Sequence, residues 1–260
     1  MTEDPTTTKA RPVGIICAIP AELASLRAAL TDVATEEQAK LRFDIGRLAG
    51  IPVVLAEAGI GKVNTSVVAT VLALRFDARA IVFSGVAGGL DPTLHVGDVV
   101  VGVRTLQHDF GVITAGAFSA YHAGHVPFFN PTDRFGFDVP AALKNRVATA
   151  LEGLELPALS AAAGGTGRRP RIMLGTILSG DQFINCEATR ERLHRTFGGH
   201  AVEMEGGALA QVCERFDLPW LNVRSLSDLA GAESHFDFKA YLHEVAPAAA
   251  AVLVRLLPAL

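Results

Sequence analysis

Five ionisable side chains in this sequence stand where an apolar element begins or ends. Glu203 and Glu205 bracket Met204 just after the short apolar lead-in Ala201-Val202. Arg224 and Asp228 follow the apolar Trp220-Leu221-Asn222-Val223, and Glu22 falls in the first turn of a helix that Pro20 starts. A charge at the edge of a core needs a partner or a task. Two readings therefore stand side by side. One is structural, with ion pairs around the arginine and Glu22 as a helix cap; the other is catalysis by the carboxylates.

Positioning these groups falls to a chain in which strands and helices alternate. Val13 to Ile19 is a continuous apolar run, as expected of a strand covered on both faces. Leu41–Leu48 and Ile51–Ala56 read as a hairpin turning at Ala49-Gly50. Glu57 to Lys62 (EAGIGK) then leads into a helix whose Val63, Val67, Val71 and Leu74 share a face. That glycine loop fits neither a dinucleotide fingerprint, which wants glycine at Asn64, nor a P-loop, which wants glycine at Ala56 and a hydroxyl at Val63. It reads instead as a tight turn whose backbone can approach a small ligand. Ala80–Phe83 is a buried strand ending in the glycine run Ser84 to Leu90 (SGVAGGL), the edge at which α/β sheets bind ligands or simply turn.

Val96–Val103 is a further strand. Residues 110–137 lack a clear period and carry Phe110, Phe118, Tyr121, Phe128, Phe129, Phe135 and Phe137. Such a loop is a lid, an oligomer contact or a cap on the core. A helix over about 139–153, a flexible loop over 161–167, a strand Ile172–Leu178 and a helix Glu187–Phe197 follow. Beyond Glu205, Leu209, Val212, Cys213 and Phe216 fall on one helical face, and a last helix runs to about Leu257. No repeat or linker divides the chain. The pattern implies a polar tail over residues 1–11 and one α/β domain over 12–260, a central sheet flanked by helices.

Composition narrows the function. Half of the 260 residues are hydrophobic and 19% are charged, which is a globular balance. The net charge of −4 argues against a nucleic-acid face, and Arg168-Arg169-Pro170-Arg171 reads as a solvated turn. No basic, apolar leader opens the chain, and no run approaches about 20 apolar residues, so no membrane partner is expected. Cys17, Cys186 and Cys213 form no CxxC pair or even framework, which fits a reducing, cytoplasmic setting. His108, His122 and His125 lack metal-ligand spacing and read as loop or core histidines.

Five segments, taken in order, resemble one family. They are Gly14 to Ala18 with Glu22, Ala58 to Val63, Phe83 to Leu90 (FSGVAGGL), Ser179 to Asn185 (SGDQFIN), and Ala201 to Gly206 (AVEMEG) with Arg224 to Ala230 (RSLSDLA). Together they are similar to the 5'-methylthioadenosine/S-adenosylhomocysteine nucleosidases of the purine nucleoside phosphorylase-like superfamily. That resemblance implies a single domain with a mixed, twisted sheet, no metal or organic cofactor, a small nucleoside substrate and a homodimer. It implies Asp228 as the general acid that protonates purine N7, which requires a carboxyl held well above the about 3.9 of free aspartate. Glu22 matches the base that takes a proton from water, and Glu205 the residue that binds the ribose hydroxyls. Arg224 would pair with the acids around the water, and Glu203 and Met204 would shape the sugar pocket. Phe183 would stack on the purine, with backbone groups at Ile184 reading its edge. Ile19, Met204 and Phe238 would form the slot for the 5' group, closed by Phe118 or Tyr121 from a partner chain. Val86 and Gly88 of the glycine run would border the ligand. Two departures stand out: Gly231 replaces the second acid of an SDxAD pattern, and Val86 stands where many relatives carry serine.

Three functions compete: a nucleosidase, a phosphorylase on the same fold, and a non-catalytic purine binder. A phosphorylase must neutralise a phosphate dianion, usually with arginine, yet Phe83 and Ser84 stand where one is wanted. A binder has no use for an acid and a base on opposite sides of its ligand. The nucleosidase reading predicts adenine release at the same rate with and without inorganic phosphate; a rate that depends on phosphate would reverse the choice.

Overall fold

A computed structural model describes residues 10–160, 167–231 and 234–260, without the side chains of residues 235–237 and 240. Most of the expected N-terminal tail and of the 161–167 loop lies outside the described residues. The first half comprises β1 (Val13–Cys17), α1 (Pro20–Ala28), β2 (Thr31–Gln38), β3 (Leu41–Leu48), β4 (Ile51–Glu57), α2 (Lys62–Leu74), β5 (Ala80–Gly89) and β6 (Val99–Gln107). The second comprises β7 (Gly111–Thr114), β8 (Ala117–Ala120), β9 (Phe137–Asp138), α3 (Ala141–Leu151), β10 (Ile172–Ser179), α4 (Glu187–Phe197), β11 (Ala201–Glu203), α5 (Gly206–Arg215), β12 (Trp220–Asp228) and α6 (Ser234–Leu256).

The strands form a mixed sheet in the order β11-β10-β6-β12-β5-β1-β4-β3-β2, with β9 beside β6. Its middle is parallel, β12 to β5 to β1 to β4, and strands buried on both faces supply the apolar runs read from the sequence. β11 also turns back to pair antiparallel with β5, Ala201 opposite Gly89 and Val202 opposite Gly88. The five strands β11, β10, β6, β12 and β5 thereby close into a ring. At the opposite margin β2 is a polar strand, TDVATEEQ, with every side chain exposed or half-exposed. It carries a bulge between Thr31 and Ala34 and a left-handed Asp32 at φ 54°.

β5 does not stop at Phe83 but continues through the glycine run to Gly89, because glycines in a central strand let neighbouring side chains close over the backbone. β6 begins at Val99 and includes Leu106 and Gln107. The 110–137 segment contains the hairpin β7–β8. α2 buries Thr65, Val68, Ala69 and Leu72, not the face expected, and leaves Val63 75% and Leu74 71% exposed. That helix is apolar on two faces, and periodicity alone could not choose between them.

Arg168 is no solvated turn residue. Its Nη1 and Nη2 donate to the two carboxylate oxygens of fully buried Asp98, at 2.7 and 3.0 Å. The span Tyr241–Ala259 is, against expectation, long and apolar enough to cross a membrane. Its Val245, Ala249, Val252, Leu253 and Leu256 are buried, and the helix packs on β12, β5 and α1. It is a core helix.

Candidate active site

Strand ends bring the ionisable residues together. Glu22 sits in the first turn of α1 behind Pro20, and its Oε2 accepts the backbone N–H groups of Ala18 at 2.8 Å and Ile19 at 3.2 Å. Its Oε1 accepts the N–H of Val86, on β5, at 2.9 Å. The capping and functional readings of Glu22 are therefore not alternatives: one carboxylate closes its helix and faces a cavity. A Cβ on Gly85 would lie 2.5 Å from Glu22 Oε1 and 2.8 Å from Arg224 Nη1, so only glycine lets both groups settle over the strand.

Arg224 lies at the centre of β12, 1% exposed. Its Nη2 donates to Glu203 and, at 3.2 Å, to Glu205, while Nη1 donates to the carbonyl of Val86 at 3.2 Å. The Phe83 ring lies 4.3 Å beneath the guanidinium, within cation–π range. Glu203 also accepts the hydroxyl of Ser179 and the N–H groups of Glu205 and Gly206. Glu205 Oε1 takes the N–H of Gly61 at 2.9 Å, from the turn in which Gly59 and Gly61 hold φ of 83° and 99°. The glycine loop thus meets the site through a glutamate.

Asp228 ends β12, 2% exposed, with Oδ1 accepting the N–H of Ala230 at 2.8 Å and Oδ2 the hydroxyl of Ser227 at 2.9 Å. Gly88 runs beside it, and a Cβ there would lie 2.9 Å from Asp228 Oδ1.

One cavity of about 310 Å³ joins these groups. Ile19, Glu22, Val86, Gly88, Phe183, Glu203, Met204, Glu205, Arg224, Asp228 and Phe238 all line it. Phe183 stands at its mouth, half exposed and edge-on to Phe238 with ring centroids 6.2 Å apart. Ile184 borders a smaller recess alongside, with Gly88, Phe183, Met204 and Asp228. Tyr121 and Phe118 lie elsewhere and do not line this cavity. The Tyr121 hydroxyl donates to the Thr132 carbonyl and accepts its N–H, and Phe118 borders separate hollows beside Arg192.

The sequence reading missed Ala18, Ile60, Ser227 and Lys239 in the lining, and Ser179 behind Glu203. It also missed the fate of Lys62, whose Nζ lies 2.7 Å from Asp109 and 3.8 Å from Asp181. Spacing could not show this, since the three residues come from separate turns. Among the described residues, no group of three His, Cys, Asp or Glu side chains is arranged to hold a metal ion.

Burial sets the electrostatics. It raises Glu22 above the usual glutamate range, against the pull of Arg224 and three N–H donors. It also pushes Glu205 up to about 7, with Arg224 and Gly61 opposing and Glu203 and Glu22 adding to the rise. Burial works against the charge of Arg224, but Glu203, Glu205 and Glu22 more than offset it and raise its pKa.

A profile of the phosphorylase superfamily matches residues 12–258. The 5'-methylthioadenosine/S-adenosylhomocysteine nucleosidase of Mycobacterium bovis is 56% identical over 248 residues, covering 95% of this chain and 97% of that protein. The chain belongs to this nucleosidase family. With it, the chain is an N-glycosidic bond hydrolase. The Streptococcus pneumoniae nucleosidase, solved with the transition-state inhibitor MT-ImmA, aligns at a TM-score of 0.80 and 30% identity, over 95% of this chain and 99% of that one. The futalosine hydrolase of Helicobacter pylori aligns at 0.78 and 27% identity, over 96% and 98%.

A carboxyl raised on folding binds its proton more tightly in the native state, so its stabilising effect is present at low pH and lost as pH rises through the native pKa. For Glu205 the window runs from about 4.3, the unfolded value, to about 7. The urea midpoint should be higher at pH 6 than at pH 8, and Glu205→Gln should flatten that difference. An unchanged slope in the variant would show that Glu205 titrates normally.

Proposed function

We propose that the protein hydrolyses the N-glycosidic bond of 5'-thio-substituted adenosines, methylthioadenosine and S-adenosylhomocysteine, releasing adenine and the thio-substituted ribose. The observation that carries this reading is the cavity that Glu22 and Asp228 share. In the reaction, Asp228 gives its proton to purine N7 as the bond from N9 to C1' breaks. Water adds to C1', and Glu22 takes the proton that the water loses. Glu205 accepts hydrogen bonds from the ribose hydroxyls, Phe183 stacks on the base, and backbone groups at Ile184 read the purine edge. Ile19, Met204 and Phe238 line the slot for the 5' group. Arg224 holds Glu203 and Glu205 in place through Nη2, and Glu203, with bonds to Ser179, two N–H groups and Arg224, acts as a buttress behind the sugar.

Water is favoured over phosphate because Lys62 is already paired with Asp109, and Arg224 with two glutamates. A phosphate dianion beside Val86 would also face the Glu22 carboxylate. A futalosine-type substrate is the competing reading for the 5' group, supported by the likeness to the Helicobacter pylori hydrolase. A panel of 5'-substituted adenosines assayed for adenine release separates the two.

Homodimer formation is part of the same reading. Ile60, Val63, Val67 and Leu74 expose apolar surface on and beside α2, and Ile113 and Phe118 do so on the β7–β8 hairpin. The Lys62–Asp109 pair ties the start of α2 to the base of that hairpin, so the two surfaces are neighbours. Exposed apolar patches of this kind mark interfaces, and a partner's hairpin, with its Phe118 or Tyr121, would close the 5' slot.

Asp228→Asn should lower kcat by about 10²- to 10⁴-fold without unfolding the chain, and Glu22→Gln should do the same while substrate still binds. Near-normal turnover in either variant removes that residue from the mechanism. Sedimentation should give the mass of two chains, and Val63→Glu with Leu74→Glu should give one. A wild-type mass of a single chain at micromolar concentration would refute the dimer.

A further inference from the structure

β12 is buried along its whole length, and Asn222 lies in it between Leu221 and Val223 with no exposed surface. Residues two apart on a strand share a face, so Asn222 and Arg224 lie on the same side of the sheet. Asn222 pairs across β5 with Phe83, whose ring underlies the guanidinium. The Oδ1 of Asn222 accepts Arg224 Nε at 2.7 Å. With Nη1 on Val86 and Nη2 on the two glutamates, this bond fixes the guanidinium plane at its third nitrogen.

The other end of the amide has no such use. Asn222 Nδ2 is buried without a hydrogen-bond partner, which costs stability. A leucine of the same shape would remove that cost and suit the apolar strand. The neighbouring backbone is also fitted to the asparagine. A Cβ on Gly206 would come within 2.0 Å of Asn222 Nδ2 and 3.2 Å of Glu203 Oε1, so the glycine that opens α5 leaves the amide its room.

We infer that Asn222 is a positioning residue of the nucleosidase reaction: it holds Arg224 by its Nε so that the guanidinium aims Nη2 at Glu203 and Glu205. It trades some fold stability for the aim of the carboxylate that meets the ribose hydroxyls. The inference rests on the roles given above to Arg224 and Glu205.

A double-mutant cycle on adenine release from methylthioadenosine tests it. Asn222→Leu should lower kcat/KM about 10- to 100-fold, the size expected for one hydrogen bond to a charged group, while the melting temperature stays level or rises. In an Arg224→Lys background, which has no Nε–H, the same change should cost less than threefold. Equal losses in both backgrounds, or an activity loss that follows a fall in melting temperature, would overturn the positioning role. Should the leucine variant not fold, Asn222→Ala enters the same cycle with the same expected outcome. Full activity of Arg224→Lys by itself would instead overturn the role of Arg224, and this inference with it.

Discussion

Arg224 carries its charge almost wholly buried at the wall of the cavity, and such a charge persists only with partners at bonding distance. Glu203 and Glu205 are those partners, and Glu22 lies close enough to contribute to the same field. Three carboxylates around one guanidinium leave an excess of negative charge. The protein answers it with backbone N–H groups from Ala18, Ile19, Val86, Gly61, Glu205 and Gly206, and with carboxyls whose affinity for protons is raised. Carboxyls raised in this way and gathered in one cavity are the pattern by which functional sites are recognised. None of the donors is a surface side chain, so the arrangement depends on the backbone of three separate turns and of β5 being correct at once.

The ring of strands makes that possible. β11 is only three residues long, yet by pairing with β10 on one side and β5 on the other it sets Glu203 next to the glycine run and near the end of β12. Gly85 and Gly88 admit Glu22, Arg224 and Asp228 against the strand. Bulk at either glycine would push apart groups that lie more than 60 residues from each other in the chain.

Much of this was legible in the sequence because the ionisable residues of the cavity stand in or beside apolar runs, where a charge is conspicuous. Glu22, Glu205, Arg224 and Asp228 were singled out in that way and line one cavity. What escaped notice depended on long-range pairing. The outward face of α2 was misjudged because both of its faces are apolar. Glycines disguised the far half of β5 as a turn, and Arg168 looked solvated because buried Asp98 lies 70 residues away. Asn222 was hidden by its own strand: a single polar residue in an apolar run looks incidental until its contact with Arg224 is seen.

The far margin of the sheet carries a consequence of its own. Because β11 returns to β5, β2 is the sheet's open side, and an unpaired strand is a template on which further chains can stack. Asp32, Glu36 and Glu37 lie along it, and the bulge at its start bends the ladder out of line. A second copy approaching there would meet charged side chains and a broken register. Charge and irregularity on that strand thus oppose fibrous growth along the sheet.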